Sequence, residues 1–322
     1  MDPQAQHPIR IGTRRSDLAL HRAGLVRRLL ETRGHTAELV TFRTAGDRKP
    51  EEPVASISVE GLFTQELETA LARGKVDCCV HALSDLPVRL AEGLAIGAVL
   101  ERDDPRDVLL IAPVVEVETL ADLPRGSRVG TSSVRRRAQL AASRADLDIV
   151  ELRGSVPERV QKVDAGFVHA TILGAAELQQ LGVRQRVTQV LAAPAWLPAP
   201  GQGAVVVEVR ADDARMREIA TALDHPATRA HAAAERAFLG ALEGGCQAPI
   251  GALAMPQDGA YVLHGLLATM DGGRVVRGEI VLDRDEPELG GIRLANQLRG
   301  EGATEILEEL RRVTRLPAPQ PD

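Results

Sequence analysis

The feature that most restricts how this chain folds is a short unit that occurs twice. Residues 9–12 form an apolar run that leads through a hydroxyl-containing turn into an apolar-periodic stretch at 18–30. About 118 positions later, the segment 128–133 leads in the same way into a periodic stretch at 134–142. Apolar residues spaced three and four apart are typical of a helix that packs on one face. Each unit is therefore predicted to be a strand, a turn and a helix N-terminus.

A second pair of segments supports a duplication. A glycine-led turn at 74–77 opens the apolar run 78–83, and a similar turn at 166–169 opens the run 170–173. These runs are continuous rather than alternating, which is typical of strands covered by helices on both faces. The sequence therefore predicts two similar α/β domains.

The rest of the chain indicates connections and a third domain. The charged, proline-containing segment 100–107 and the proline-rich segment 194–203 are predicted to be linkers. The apolar strand 204–209 is predicted to return to the first domain. Beyond Pro226, helices and alternating strands are predicted at 232–242, 275–282 and 291–311. The fold class is thus α/β, with a first domain at 1–103 plus 204–222, a second at 104–203 and a small α+β domain at 223–322.

Charge and composition exclude several classes of protein. The formal net charge is -6 and aromatic residues make up 2% of the chain, which disfavours stacking on nucleic acid and a broad phosphate-binding face. No segment approaches the ~20 apolar residues of a membrane span, and the opening segment 1–12 has no apolar run after a basic start. We therefore expect a cytoplasmic protein that binds neither nucleic acid nor membrane.

The cysteines indicate reduced thiols. Cys78 and Cys79 lie side by side in an apolar run, so they are predicted to be structural. The spacings fit neither a disulfide framework nor a zinc site, and no metal is expected. Cys246 follows two glycines, which remove side-chain bulk and let another group approach closely. Cys246 is therefore predicted to be the reactive thiol.

Hydroxyl residues and arginines cluster at and after the two repeated turns. Backbone N–H groups at a helix N-terminus attract anions, and a guanidinium grips a carboxylate at two points. The residues concerned are Thr13, Arg14, Ser16, Thr131, Ser132, Ser133, Arg135, Arg136, Arg137, Arg153 and Arg159. Two simpler interpretations stay open, in which the hydroxyls only cap helices and the arginines only form a solvated face. As a cluster, these residues suit a ligand with several carboxylates.

Asp85 is the predicted acid of the site. It lies just beyond the apolar strand 78–83, at the edge where open α/β sheets bind ligands. A carboxylate in that place is able to exchange a proton or to stabilise a developing cation. The segment that contains Asp85 and Pro87 is also a plain turn signal, and that interpretation stays open.

Seven segments, in order, make the chain similar to the porphobilinogen deaminase family from residue 9 to about residue 310. They are IGTRRSDLAL (11–20), GLFTQELETAL (61–71), VHALSDLP (80–87), VGTSSVRRRAQL (129–140), LRGSVPERV (152–160), LPAPGQGA (197–204) and AERAFLGALEGGCQAPIG (234–251). The last segment contains the cysteine to which this family attaches its cofactor.

The resemblance implies three α/β domains, the first two in the periplasmic-binding-protein type II arrangement with the active site in the cleft between them. It implies a hydroxymethylbilane synthase, a transferase of tetrapyrrole and heme biosynthesis. Such an enzyme joins four porphobilinogen molecules head to tail on a primer, releases ammonia and hydrolyses the product to hydroxymethylbilane. The primer is a dipyrromethane bound to Cys246 through a thioether, and a permanent primer makes each placement intramolecular.

The resemblance also assigns roles to residues. Asp85 is the implied catalytic residue. The residues implied to bind the cofactor are Cys246, Arg14, Ser16, Thr131, Ser133, Arg135, Arg136, Arg153 and Arg159. Those implied to bind porphobilinogen are Arg14, Phe63, Arg153, Arg159 and Gln202. A mobile lid at 47–60, a monomer and a transient contact with uroporphyrinogen III synthase are implied as well.

Four positions depart from the family pattern. Ala82 and Ser84 stand where the family usually has Ser and Lys, Glu60 stands where a basic residue is common, and Gln180 replaces an Arg or Lys. Three positive charges are therefore missing from a polyanion site. They motivate one alternative, a degenerate homologue that keeps the fold and anion binding without elongating a chain. A second alternative is a small-molecule carrier of the periplasmic-binding type, which predicts export.

Overall fold

The structure, a computed structural model, describes residues 7–48, 61–243 and 248–314. These residues divide into two compact units, one made of 7–48, 61–103 and 204–229, the other of 104–203, 230–243 and 248–314. Within the described residues, no helix combines the length and apolar composition needed to cross a bilayer.

The described chain consists of strands and helices with the following bounds. The strands are β1 (Ile9–Arg14), β2 (Ala37–Phe42), β3 (Cys78–Ala82), β4 (Leu94–Val99), β5 (Asp107–Ile111), β6 (Arg128–Gly130), β7 (Asp148–Val150), β8 (Ala170–Gly174), β9 (Gln189–Val190), β10 (Val205–Arg210), β11 (Ile250–Gln257), β12 (Ala260–Ala268) and β13 (Val275–Val281). The helices are α1 (Asp17–Glu31), α2 (Ala45–Arg48), α3 (Gln65–Ala72), α4 (Val134–Ser143), α5 (Val156–Asp164), α6 (Ala175–Gln180), α7 (Ala214–Thr221), α8 (Pro226–Ala241), α9 (Pro287–Leu298) and α10 (Thr304–Thr314).

The first unit is a five-stranded sheet between helices, in the order β2-β1-β3-β10-β4. β1 is parallel to β2 and β3, whereas β10 is antiparallel to both of its neighbours. One face buries Ile11 and Val207 against α1 and α7. The other face buries Cys79 against Leu67 and Leu71 of α3. Both faces are covered, as the continuous apolar runs predicted.

The second unit contains a sheet with the same plan, in the order β7-β6-β8-β5-β9. β6 is parallel to β7 and β8, and β5 is antiparallel to its two neighbours. Each repeated unit places a glycine where another side chain presses against the backbone. A Cβ on Gly12 would lie 2.8 Å from the Cys79 Sγ, and one on Gly130 would lie 2.7 Å from the Leu152 Cδ2. The prediction of two similar α/β domains is confirmed.

A small α+β domain lies in the same unit, formed by the antiparallel sheet β11-β12-β13 and the helices α8, α9 and α10. Its core buries Phe238 of α8 against Leu263 of β12, Leu294 of α9 and Leu310 of α10. This domain confirms the remaining part of the predicted fold class.

Two predicted elements differ from the structure. The helix expected at 291–311 is divided into α9 and α10, because Gly302 has a φ of 110° and lies outside helical geometry. The linker expected at 100–107 is one residue too long, since Asp107 is the first residue of β5. Asp107 is fully buried, which a charged residue in a linker rarely is.

Candidate active site

The first repeated turn connects β1 to α1. Ser16 is the N-cap of α1, and its hydroxyl accepts a hydrogen bond from the Ala19 N–H at 3.4 Å. The Thr13 hydroxyl is buried and donates to the Ala19 carbonyl at 3.2 Å. The helix-cap interpretation therefore applies to Ser16, whereas the Thr13 hydroxyl donates to a carbonyl and does not cap the helix.

Arg14, at the end of β1, lies close to three other side chains of the first unit. Its guanidinium lies 4.3 Å from the centre of the Phe63 ring, which allows a cation–π contact. One of its nitrogens lies 2.5 Å from an Asp47 oxygen, and another lies 3.9 Å from an Asp85 oxygen. The predicted residues Arg14, Phe63 and Asp85 are thus brought together, with Asp47 as an additional member.

Asp85 ends a short 3-10 turn, Leu83–Asp85, that follows β3 directly. The turn is tied to the neighbouring strand because the Leu83 N–H donates to the Ala204 carbonyl at 3.0 Å. The Asp85 side chain keeps 36% of its surface exposed. It is a reachable carboxylate on a fixed turn at the carboxyl end of a strand, the edge where ligands bind to open sheets.

Asp47 is the nearer partner of Arg14. Its burial would raise the pKa of its carboxyl, but the hydrogen bonds and charge of Arg14, together with hydrogen bonds from Thr44, outweigh burial and lower the pKa. Asp47 therefore stays ionised and holds the Arg14 guanidinium beside Phe63. The lid predicted at 47–60 lies outside the described residues from position 49 onward, and so does Glu60.

The second repeated turn connects β6 to α4 and is capped in the same way as the first. The Ser133 hydroxyl accepts a hydrogen bond from the Arg136 N–H at 3.3 Å. The buried Thr131 hydroxyl accepts one from the Ser133 N–H at 3.2 Å. Each turn is therefore capped by a serine at the same position of the repeated unit.

Arg135 and Arg136 both bind Asp107. Arg135 approaches one carboxylate oxygen at 2.6 Å and Arg136 approaches the other at 2.8 Å. The Trp196 indole and the Gln202 amide each donate to the same carboxylate at 2.8 Å. All these groups lie in the second unit, and the two arginines keep only 4% and 7% of their surface exposed.

The neighbouring arginines keep the Asp107 carboxyl ionised. Burial would raise the Asp107 pKa, but the positive charges and hydrogen bonds of Arg135 and Arg136 lower it well below its usual range. Asp107 thus pairs with both guanidinium groups, and the negative charge of Glu177 acts on them as well. Both arginines also donate to backbone carbonyls, Arg135 to that of Leu197 and Arg136 to that of Ile172.

Sequence reasoning missed Asp107 because its charged neighbours indicated a linker. The signal that identifies it is its place directly before the apolar run 108–111, at the start of a fully buried strand. Gln202, predicted to bind substrate, accepts from Arg135 at 3.1 Å as well as donating to Asp107. Its amide therefore connects both members of the ion pair.

Arg159 on α5 has a guanidinium nitrogen without a hydrogen-bond partner among the described residues. That nitrogen is the buried Nε. Burial lowers the Arg159 pKa, and the nearby positive charges of Arg136 and Arg153 lower it further, whereas Glu177 opposes them. The charges of Arg136, Arg153 and Glu177 thus all act on the Arg159 guanidinium. This donor set fits a group that carries several carboxylates, such as a dipyrromethane.

The structure describes two of the three cysteines. Cys78 and Cys79 are buried, and burial raises the Cys78 pKa to about 12 and the Cys79 pKa well above its usual value. Both are unreactive structural residues, which confirms that prediction. Cys246 lies outside the described residues, between Glu243 and Ala248.

Ala82, one of the positions that depart from the family pattern, is the buried last residue of β3. Ser84 follows in the Asp85 turn, and Gln180 is the last residue of α6. Among the residues that the structure describes, no group of three or more His, Cys, Asp or Glu side chains is placed to hold a metal ion.

Comparison with solved structures finds similar but distant proteins. The periplasmic aliphatic sulphonate binding protein SsuA of Escherichia coli is 19% identical, with a TM-score of 0.40 over 73% of this chain and 70% of its own. An ancestral cationic amino acid solute binding protein is 15% identical, with a TM-score of 0.43 over 67% of this chain and 87% of its own.

Comparison of sequences finds much nearer relatives. The profile described as "Porphobilinogen deaminase, dipyromethane cofactor binding domain" matches residues 9–218, and the one described as "Porphobilinogen deaminase, C-terminal domain" matches residues 230–300. The porphobilinogen deaminase of Moorella thermoacetica is 46% identical over 94% of this chain and 96% of its own length. That of Synechococcus elongatus is 44% identical over 94% and 95%. The chain therefore belongs to the porphobilinogen deaminase family.

Proposed function

We propose that this chain performs the reaction of its family with Asp85 as the catalytic residue and Cys246 as the point of cofactor attachment. Family membership confirms the predicted activity, a hydroxymethylbilane synthase that links porphobilinogen molecules and releases ammonia. It also confirms the predicted dipyrromethane cofactor, because the matched family domain is the one that binds it. The roles of individual residues are the new part of the proposal.

The observation that carries the proposal is the buried Nε of Arg159, which has no hydrogen-bond partner among the described residues. The positive charges of Arg136 and Arg153 and the negative charge of Glu177 act on the same guanidinium. A buried donor without a partner is costly unless a ligand satisfies it. Pyrroles that carry acetate and propionate groups supply the carboxylates that such a cluster needs.

The second unit is proposed to bind the cofactor carboxylates. Arg153 and Arg159 hold them directly, while Arg135 and Arg136 add positive charge from the positions in which Asp107 holds them. Thr131 and Ser133 add hydroxyl and backbone donors at the N-terminus of α4. When bound, the dipyrromethane supplies a covalent primer whose terminal pyrrole carbon is free to be extended.

Asp85 is proposed to act on the incoming porphobilinogen. Its carboxylate accepts a hydrogen bond from the pyrrole N–H and stabilises the positive charge that develops on the substrate as ammonia leaves. Arg14 and Ser16 bind a substrate or cofactor carboxylate, and Arg14 is held flat for this purpose by Phe63 and Asp47. Gln202, Arg153 and Arg159 complete the proposed substrate contacts.

Cellular setting and assembly also belong to the proposal. We expect a cytoplasmic monomer that passes hydroxymethylbilane to uroporphyrinogen III synthase in a transient contact. Size-exclusion chromatography with light scattering measures the monomer, and a pull-down with the synthase measures the contact.

Intact-mass measurement tests the residue assignments. Protein from a host that makes porphobilinogen should carry two added pyrrole units, and Cys246→Ser should carry none. Asp85→Asn should retain the folded state and lose ammonia release by a factor of about 100 or more. A bare wild-type polypeptide, or an Asp85→Asn variant with full turnover, would overturn the assignments.

The degenerate homologue was motivated by the three missing cations. Family membership, the retained Asp85 and the arginine cluster favour an active enzyme over it. Turnover decides between the two, because a degenerate protein would bind porphobilinogen without releasing ammonia. The carrier alternative loses its motivation once the chain belongs to a family of transferases.

A further inference from the structure

The proline-rich segment 194–203 packs closely against the small α+β domain. The Ala252 N–H of β11 donates to the Pro198 carbonyl at 3.0 Å. A Cβ on Gly251 would lie 2.8 Å from the Leu197 Cβ and 3.1 Å from the Leu197 carbonyl oxygen, so only glycine fits there without a shift of the neighbouring atoms. The segment that was predicted to be a linker is therefore a packed part of the second unit.

Glu235, a fully buried residue of α8, connects this segment to β11. One of its carboxylate oxygens accepts a hydrogen bond from the Gly201 N–H at 2.7 Å, and the other accepts one from the Ala254 N–H at 2.9 Å. Hydrogen bonds from N–H groups to a carboxylate are among the stronger ones in proteins, and a buried carboxylate without such partners is costly. Glu235 therefore holds the backbone directly before Gln202.

Gln202 lies between two glycines with left-handed backbone conformations. The φ of Gly201 is 75° and that of Gly203 is 85°, values that glycine adopts without steric cost. The Gln202 amide donates to Asp107 at 2.8 Å and accepts from Arg135 at 3.1 Å. The buried carboxylate of α8 thus fixes the backbone beside Gln202, and the ion pair fixes its amide.

We propose that Glu235 is a positioning residue for the reaction, which acts by holding the Gln202 amide in the place where it contacts porphobilinogen. The inference rests on the proposed role of Gln202 as a substrate contact. A group that is held in its binding orientation beforehand loses less conformational entropy when the substrate arrives. The small α+β domain thus takes part in substrate binding through α8 and β11.

The Glu235→Gln variant removes one of the two acceptors. An amide has a single oxygen, so one of the two N–H groups faces an NH2 group instead of an acceptor. With Gln202 less well held, KM for porphobilinogen should rise about tenfold, while kcat per cofactor-loaded molecule changes less than about threefold. Intact mass measures the loaded fraction. Lowered stability alone would reduce the amount of active enzyme, which lowers the apparent kcat and leaves KM unchanged.

A double-mutant cycle tests whether Glu235 acts through Gln202. Gln202→Ala removes the proposed substrate contact and should itself raise KM about tenfold or more. If Glu235 acts by positioning that amide, adding Glu235→Gln to Gln202→Ala should change KM by less than about twofold.

Arg277→Gln is the matched control. Arg277 of β13 donates to the Ala195 carbonyl at 3.0 Å, so it holds the same segment at the end far from Gln202. Because this contact is remote from the amide, its loss should leave KM within about twofold of the wild type.

Three results would overturn the proposal. The first is an unchanged KM in Glu235→Gln although Gln202→Ala raises KM. The second is an undiminished effect of Glu235→Gln in the Gln202→Ala background, which would mean that Glu235 acts by another route. The third is a KM for Arg277→Gln as high as that for Glu235→Gln, because the effect would then be a general one of the segment.

Failure of the proposed function is a separate result. A wild-type chain that releases no ammonia from porphobilinogen would refute that function, and an unchanged KM in Gln202→Ala would refute the substrate contact on which the inference rests. Should Glu235→Gln not fold, Glu235→Asp decides. Its carboxylate is one carbon shorter and does not reach both N–H groups, so KM should rise about threefold. An unchanged KM in that variant would overturn the positioning role.

Discussion

Asp107 shows how a single buried carboxylate organises two candidate ligand residues. Arg135 and Arg136 would repel each other if they were buried together without a counter-charge, and Asp107 provides it. The Trp196 indole and the Gln202 amide satisfy the remaining acceptor positions. The arginines are thus held in fixed orientations before any ligand arrives, so little conformational entropy is lost on binding.

Asp107→Asn should lower the free energy of unfolding by about 3 to 5 kcal/mol, because it leaves two buried cations without their counter-charge. Urea unfolding of the wild type and the variant at neutral pH measures the difference. Asp146→Asn is the control, since Asp146 pairs with Arg144 at the surface and should change stability much less. A loss for Asp107→Asn no larger than that of the control would contradict the buried-network account.

The difference in stability between the wild type and Asp107→Asn should depend on pH. The pKa of Asp107 is lowered in the folded state relative to the unfolded value of about 3.9. Its contribution to stability is therefore complete above that value and is lost as pH falls toward the folded pKa. The stability difference between wild type and Asp107→Asn should shrink steadily as pH falls from about 5 to about 2. A constant difference across this range would refute the assignment.

Arg159→Gln, unlike Asp107→Asn, should reduce activity without reducing stability. The buried Arg159 Nε has no partner among the described residues, so its removal should leave the free energy of unfolding unchanged or raise it. If Arg159 binds a carboxylate, kcat/KM for porphobilinogen should fall about tenfold or more. Steady-state kinetics and urea unfolding test both parts. Arg135→Gln serves for comparison and should lose stability, since it breaks the contact with Asp107.

The two repeated turns show how one local element prepares a site. In both, a serine caps the helix. Arg14 lies two residues before the first cap, and Arg135 lies two residues after the second. The first strand of each unit ends at the same edge as a parallel neighbour, so the two turns of a unit meet there. Arg14 and the Asp85 turn come together for this reason.

Ser133→Ala tests whether a cap also binds a ligand. Loss of the cap should lower the free energy of unfolding by about 1 kcal/mol. Ser155→Ala is the matched control, because Ser155 caps α5 in a capping box with Glu158. Both variants should lose similar stability, but only Ser133→Ala should lower kcat/KM for porphobilinogen. Equal kinetics in the two variants would assign Ser133 a capping role alone.

The first unit is assembled from distant parts of the chain. β10 lies between β3 and β4, and it pairs with β3 from Val205 to Val209. Without β10, the buried strand β3 would expose its hydrogen-bonding edge and its apolar side chains. The sheet is therefore complete only after the second sheet has been synthesised.

A fragment of residues 1–103 should consequently fail to fold, whereas the same fragment joined by a short linker to residues 204–229 should fold cooperatively. Urea unfolding followed by circular dichroism distinguishes a cooperative transition from a gradual one. A cooperative transition in the fragment 1–103 would show that β10 is dispensable for this sheet.

The sequence alone was enough to predict the fold class, the duplicated unit and the family, because these depend on local patterns. Apolar periodicity, capping serines and continuous buried runs act over a few residues, and they predicted β1, α1, β6 and α4 closely. The proximity of Arg14 and Asp85 is consistent with the same rules, because parallel strands end at a common edge, whereas Phe63 was indicated by the family resemblance alone.

The tertiary structure was needed for the charges that distant segments bring together. Asp107 meets Arg135 across 28 positions of sequence, and Glu243 meets Arg311 across 68. No local pattern records such partners, since burial and the neutralisation of charge depend on which helices and strands pack against one another. For that reason the sequence identified the arginines, but only packing showed which are already paired and that the Arg159 Nε still lacks a partner among the described residues.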